Sequence, residues 1–198
     1  MRGGDLAGIV LVVDFDGTLV HLTVDFEDLR RRVRELLNTS HELRPLGESL
    51  NSLNVPEELK KKAWELIEEE ELKSTERVDQ SLLERNVSVL REISSRGAKI
   101  VVATHRSLRS LKPFLETTQL GEVAAEVLTR DAHPSRLSQL THVAKRYSGC
   151  CIVFLGDTVY DEKAARDAGI LFVKVEKPEE FAEKAWVAVE ACGLRARG

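Results

Sequence analysis

Five consecutive apolar residues, Ile9-Val10-Leu11-Val12-Val13, run straight into Asp14-Phe15-Asp16-Gly17-Thr18. An apolar run without alternation describes a strand buried on both faces, the setting found inside a parallel sheet. Parallel strands need crossover connections, usually helical, so this one segment directs the chain toward an α/β architecture. Gly17 ends the run in a turn. In open α/β sheets ligands bind beyond the carboxyl ends of the strands, which places Asp14 and Asp16 at the mouth of a crevice. Residues two apart on an extended chain point the same way, so both carboxylates face one ligand while Phe15 faces the other side. Two acids held that close need a shared proton or an intervening cation. Asp-Gly-Thr alone is also ordinary turn chemistry. The buried strand before it and the second aspartate are what point to a site.

The rest of the chain supports the same architecture. From Gly97 onward short β-branched runs alternate with amphipathic stretches, the pattern of βα units. Ala98–Ala103, Glu122–Leu128, Cys150–Leu155 and Ile170–Val175 join Ile9–Val13 as strands. Ser107–Glu116, Ser135–Tyr147, Asp161–Ala168 and Pro178–Cys192 read as helices, with Gly97, Gly149 and Gly169 where helices stop. The expected fold is a Rossmann-like parallel sheet of about five strands flanked by helices. The segment Val24–Gln80 has no strand-like run and reads as a helical insertion, with longer helices at Asp28–Asn38 and Pro56–Lys73. Ser81–Ser95 leads back to the sheet. Arg30–Arg32 with Arg34 reads as a solvated face, and Glu68–Glu71 as a solvated helix end.

At 198 residues the chain is long enough for one well-buried domain plus an insertion. A net charge of −4 with 31% charged residues gives no field suited to nucleic acid. No stretch approaches the apolar length that spans a bilayer, so no membrane partner is expected. The three cysteines, two of them adjacent at Cys150 and Cys151, make neither a disulfide framework nor a CxxC metal pair and read as buried strand residues, with a reducing cytoplasm as the expected location. The abundant Lys, Arg and Glu are consistent with a hot-growing source. Oligomeric state is not legible.

Three further strand ends carry polar groups. Lys99-Ile100-Val101-Val102-Ala103 ends in Thr104-His105-Arg106, which puts a hydroxyl at the same edge as Asp14. Thr104 can donate to a phosphate oxygen without adding charge, or can cap the helix beginning near Ser107. Phe154-Leu155 leads into Gly156-Asp157-Thr158-Val159-Tyr160-Asp161, repeating the arrangement of the first strand. Magnesium takes hard oxygen ligands, usually one or two carboxylates with phosphate and water, so Asp157 suits Asp14 as a partner. Asp161, one helical turn on, can orient a ligand or complement a helix dipole. A basic group is needed to offset repulsion between these acids and a phosphate dianion. Arg130, His133, Arg136 and Lys163 are the candidates, with Arg136 favoured for its place at a helix start.

Assembled, these residues resemble the haloacid dehalogenase superfamily of phosphohydrolases. Asp14-Phe15-Asp16-Gly17-Thr18 is similar to the family's first motif, Thr104 to its second, Arg136 to its third and Gly156–Asp161 to its fourth. The resemblance covers about Ile9–Val20 and Ser81–Cys192. The helical stretch lies where the family inserts a cap, giving a core of 1–20 and 81–198 and a cap of 21–80. The resemblance implies that Asp14 is the nucleophile and that Asp16 protonates the leaving oxygen and then activates water. Asp14, the backbone carbonyl of Asp16, and Asp157 would hold Mg2+; Thr104, His105 and Arg136 would bind phosphate, with Thr18 and Asp161 behind them. His105 stands where the family often has asparagine, and His133-Pro134 replaces the usual Lys-Pro pair of the third motif. The implied activity is hydrolysis of a small phosphorylated metabolite, for instance like a phosphoglycolate phosphatase. A phosphomutase, or a phosphate- or partner-binding module without turnover, are the alternatives.

Overall fold

The structure, a computed structural model, describes residues 5–195. In chain order the elements are β1 (Ile9–Val13), α1 (Phe26–Leu37), α2 (Leu46–Ser52), α3 (Glu57–Ser74), α4 (Gln80–Ser95), β2 (Lys99–Ala103), α5 (Leu108–Thr117), α6 (Leu120–Val123), β3 (Ala124–Leu128), α7 (Arg136–Arg146), β4 (Cys151–Gly156), α8 (Val159–Asp167), β5 (Leu171–Lys174) and α9 (Phe181–Arg195). Short 3₁₀ turns at Thr75–Arg77 and Pro178–Glu180 precede α4 and α9.

The strands form one parallel sheet in the order β3-β2-β1-β4-β5. β1 is central and buried along its whole length, as its unbroken apolar run requires. Its side chains divide by the two-residue period of a strand. Ile9, Leu11 and Val13 join a core with α4 and α9, through Leu83, Val87, Leu90, Phe181 and Ala185, while Val10 and Val12 join another with Leu140, Val143 and Ala165 of α7 and α8. The chain order reverses at β1: one crossover leads to β2, and the chain later returns to lay β4 on the other side. That switch point is where such sheets open a crevice.

Between β1 and α4 the regular elements are all helices, apart from an isolated bridge of Asp16 with Val20. Leu29, Val33 and Leu37 of α1, Leu46 and Leu50 of α2, and Ala63 and Ile67 of α3 bury one another in a separate core. α1 starts where Asp25 accepts hydrogen bonds from Glu27 N and Asp28 N, and stops at Asn38 in the left-handed conformation. α2 was not expected from sequence: Gly47, Asn51 and two serines give it poor intrinsic helicity, and burial of Leu46 and Leu50 holds it.

Three expectations need correction. β3 begins at Ala124 rather than Glu122, because Gln119 at φ 59 opens the short turn α6 before it. α8 starts at Val159, ahead of Asp161, because Thr158 is its cap. The cysteines are not all free. Cys151 of β4 is disulfide-bonded to Cys192 of α9, and Cys150 is the free thiol. Two thiols far apart in sequence were brought together by α9 packing on β4, which spacing could not reveal. Such a bond is rare in the cytosol of mesophiles, and common in secreted proteins and in intracellular proteins of hyperthermophiles. Among the described residues no helix is long and apolar enough to cross a membrane.

The disulfide closes a loop with a sequence separation of 41. Cys192→Ala should lower the unfolding free energy in urea by about 2–4 kcal/mol. Added reductant should destabilise the wild type and leave the variant unchanged.

Candidate active site

The sheet register delivers the polar groups to one place. Val13 pairs with Val102 on one side and Leu155 on the other, and Asp14 N donates to Leu155 O at 2.9 Å. The residues after β1, β2 and β4 therefore emerge side by side: Asp14, Thr104 and Asp157. Gly17, at φ 82, closes the β1 loop with Gly17 N donating to Val20 O at 2.7 Å. A Cβ at Gly17 would lie 2.3 Å from Asp157 Oδ2, so only glycine lets this loop press against that carboxylate.

Oxygens of Asp14, Asp157 and Asp161 all lie within 4.8 Å of one another, and Asp14 and Asp161 are buried. Arg136, itself buried, sits between them: Nη2 donates to Asp14 Oδ1 at 2.7 Å and Nε to Asp161 Oδ1 at 2.7 Å. Its Nη1 donates to Ala103 O at 2.5 Å and to Gln139 Oε1 at 2.9 Å. A guanidinium has five N–H donors, so one on Nη2 is left for a ligand. Burial works against the charge of Arg136, but Asp14 and Asp161 more than compensate and its pKa is raised.

Asp161 stands at the start of α8, as one sequence reading had it, and also holds Arg136. Its Oδ2 accepts from Thr158 N and Oγ1 at 3.1 and 2.6 Å, completing a capping box at the start of α8, while Oδ1 receives Arg136. Both oxygens are thus engaged. Asp157 differs: its Oδ1 is buried without a hydrogen-bond partner. Burial, reinforced by Asp161, pushes Asp157 up to about 6. Asp14 is raised well above the ordinary carboxylate range by burial, against the pull of Arg136 and with the push of Asp161, Asp157 and Asp16. An orphaned carboxylate oxygen among crowded buried acids fits a hard divalent cation such as Mg2+, with Asp14 and Asp157 as its side-chain donors.

Asp16 faces elsewhere. Arg106 Nε and Nη2 donate to its Oδ2 and Oδ1 at 2.7 and 2.8 Å, so any part it takes in holding a cation falls to its backbone carbonyl. Thr104 is buried at the edge of β2, its Oγ1 accepting from Arg106 N at 3.1 Å; Ser107, not Thr104, caps α5. The Thr104 hydroxyl proton remains to be donated. Thr18 is fully buried with an unpartnered Oγ1. Of the other basic candidates, Lys163 pairs with Asp167 in solvent and His133 stacks on His142. Arg130 is bonded to Glu71 and to His105 O. His21 is exposed and paired with Glu179.

Asp14, Asp16, Thr104, Arg106, Arg136, Asp157 and Asp161 line a cavity of about 300 Å³. Its far wall is built by the helical segment: Phe26 and Arg30 of α1, Arg44, Leu46, Trp64 and Ile67 among others. Two sequence expectations fail here. Arg30 is not on a solvated face; its side chain is 14% exposed, its Nε is buried without a partner, and both it and Arg44 bind Glu27. Glu71 is not at a solvated helix end; it is buried, bonded to Arg130, to Ser110 Oγ at 2.8 Å and to Ser107 N at 3.3 Å. Arg106 and Glu71 were missed because nothing in a single sequence pairs residues on separate segments; the only hint was the basic residue directly after Thr104-His105.

His105 also lines the cavity, with Nδ1 buried and unpartnered. Burial, then the charges of Arg136 and Arg130, push its imidazole down to about 3, so it is neutral. An unfolded histidine takes its proton near pH 6.5, whereas this one does not. Its contribution to stability is therefore complete above pH 6.5 and lost as pH falls toward 3. Partial solvent access reduces the effect, and His105→Asn should remove about 1–2 kcal/mol of the stability loss between roughly pH 6.5 and 5. Urea melts of both proteins across that range check it through their difference.

The sequence model of the haloacid dehalogenase-like hydrolases matches residues 10–169. No curated protein matches the chain significantly. Solved structures share its fold. A candidate phosphoglycolate phosphatase from Lactobacillus plantarum superposes with a TM-score of 0.61 at 15% identity, over 91% of this chain and 99% of that one. A haloacid dehalogenase-like family hydrolase from Streptococcus pneumoniae gives 0.56 at 15% identity, over 83% of each chain. A candidate β-phosphoglucomutase from Thermotoga maritima gives 0.54 at 18% identity, over 88% of this chain and 96% of that one. With the five-stranded parallel sheet and the acidic cluster at its switch point, the match over residues 10–169 means that this chain belongs to the haloacid dehalogenase-like hydrolase family.

Proposed function

We propose that this protein is a Mg2+-dependent phosphatase acting on a small phosphorylated metabolite, with core 1–20 and 81–198 and cap 21–80. The observation that carries the reading is the meeting of Asp14, Asp157 and Arg136 at the carboxyl ends of β1 and β4, beneath a cavity roofed by helices. Asp14 is the nucleophile: its carboxylate attacks phosphorus and forms an aspartyl-phosphate as the ester oxygen leaves. Asp16 gives that oxygen a proton and then takes one from the attacking water. Thr104, the remaining N–H of Arg136 and His105 hold the phosphoryl oxygens and the group next to them. Asp14 and Asp157, with the Asp16 carbonyl, would hold the cation, which would supply positive charge to offset that of the phosphate. A phosphoryl transition state is loose, so these placements and charges account for most of the catalysis.

The cavity limits the substrate. About 300 Å³ suits a small metabolite. Arg30 and Arg44 on the roof favour a polar or anionic group at the end away from phosphorus, and Phe26, Trp64 and Ile67 give the rest an apolar wall.

Hydrolysis of an aryl phosphate with and without Mg2+ is the direct test. Asp14→Asn should abolish turnover, because an amide cannot replace the attacking carboxylate. Hydrolysis that survives this change intact removes Asp14 from the mechanism. Gly17→Ala, whose Cβ would collide with Asp157, should weaken Mg2+ binding measured by calorimetry while the far-UV spectrum stays native.

A further inference from the structure

Arg106 is an unusual neighbour for a residue assigned to move protons. Its side chain is 1% exposed and its guanidinium lies 5.5 and 5.4 Å from the ring centres of Phe15 and Phe114. It binds both oxygens of Asp16 in a planar fork. Its other contacts are on the insertion: Nη1 donates to Glu71 O at 3.3 Å and Nη2 to Ser74 Oγ at 3.2 Å. Both belong to the last turn of α3, where carbonyls lack helical partners and a cation is favoured. Ser74 immediately precedes the turn Thr75–Arg77, through which the chain returns to α4 and the sheet. The Glu71 carboxylate is fixed from the core side by Arg130, Ser110 and Ser107 N. One rigid, buried group therefore spans from the end of α3 to the carboxylate of Asp16.

We propose that Arg106 is a positioning residue for Asp16, fixing that carboxylate beside Asp14 and tying its position to the C-terminal end of α3. This rests on the phosphatase reading above. The consequence is mechanical. A shift of α3 moves Glu71 O and Ser74 Oγ, and through Arg106 it moves Asp16.

The test compares an alkyl phosphate, whose leaving oxygen needs a proton, with an aryl phosphate, whose leaving oxygen needs it far less. Asp16→Asn should lower kcat on the alkyl ester by roughly 10²–10⁴-fold, the usual worth of general acid–base catalysis. Arg106→Lys keeps the charge and loses the fork; it should lower kcat on the alkyl ester by about tenfold or more, less on the aryl ester, with KM little changed. In the Asp16→Asn background the same change should cost nothing further. An equal loss in that background, or a rise in KM alone, overturns the proposal. If Arg106→Lys does not fold, Ser74→Ala carries the test: a smaller loss selective for the alkyl ester supports the link to α3, and an unchanged alkyl-to-aryl ratio refutes it. Wild-type protein inactive on both esters, or Asp16→Asn fully active on both, refutes the phosphatase or acid–base reading itself, and the proposal falls with it.

Discussion

The buried pairing of Arg136 with Asp14 and Asp161 is the interaction on which the site depends. Carboxylates this far from water are costly to ionise, and the raised pKa of Asp14 expresses that cost. A single guanidinium supplies the offset, and its fork holds two carboxylates from different elements, one following β1 and one on α8, at one spacing. It also fixes the end of β2 through Ala103 O. Removing Arg136 would leave two uncompensated acids, a more damaging loss than the pair's formation is a gain. The cluster stays short of charge balance even so. Asp14, Asp16, Asp157 and Asp161 face Arg136 and Arg106, and an oxygen of Asp157 is left without a partner, where a divalent cation of the proposed kind would complete the set.

That pairing is possible because β1 is covered on both faces and flanked on both edges. Its register with β2 and β4 leaves Asp14 no freedom along the strand, and Phe15, buried on the opposite side, prevents the turn from rolling. Gly17 then allows the loop to fold against Asp157. The strand sets the positions and the side-chain network sets the charges. Neither would suffice alone, since Asp14, already raised by burial, would be raised further without Arg136, and Arg136 without the register would have nothing to bridge.

Much of this was legible in the sequence. The unbroken run Ile9–Val13 and the later alternation of strands and helices specify the sheet because burial on two faces leaves a distinct pattern. Asp14, Asp157 and Arg136 were legible because each follows a strand or begins a helix, so local pattern fixes their position relative to the sheet edge. Glu71, Arg30 and the Cys151–Cys192 bond were not. Each owes its role to a contact across many residues, and a charged or small residue on a helix looks the same whether its face meets solvent or another element. Glu71 sits in a run of four glutamates in which packing of α3 on α5 separates the buried one from its half-buried and exposed neighbours. The α2 helix was missed for the same reason, since its stability comes from its neighbours.

The place of the insertion has a physical consequence of its own. The helical segment leaves the sheet a few residues after Asp16 and returns through Ser74 and Thr75–Arg77, where Arg106 joins Ser74 to Asp16. Both connections thus lie beside the same carboxylate. A group near a hinge moves little in distance but a good deal in direction when the hinged body turns. On the proposed reading Asp16 first faces a leaving oxygen and then a water, and change of direction at constant distance is the motion that this sequence of roles requires.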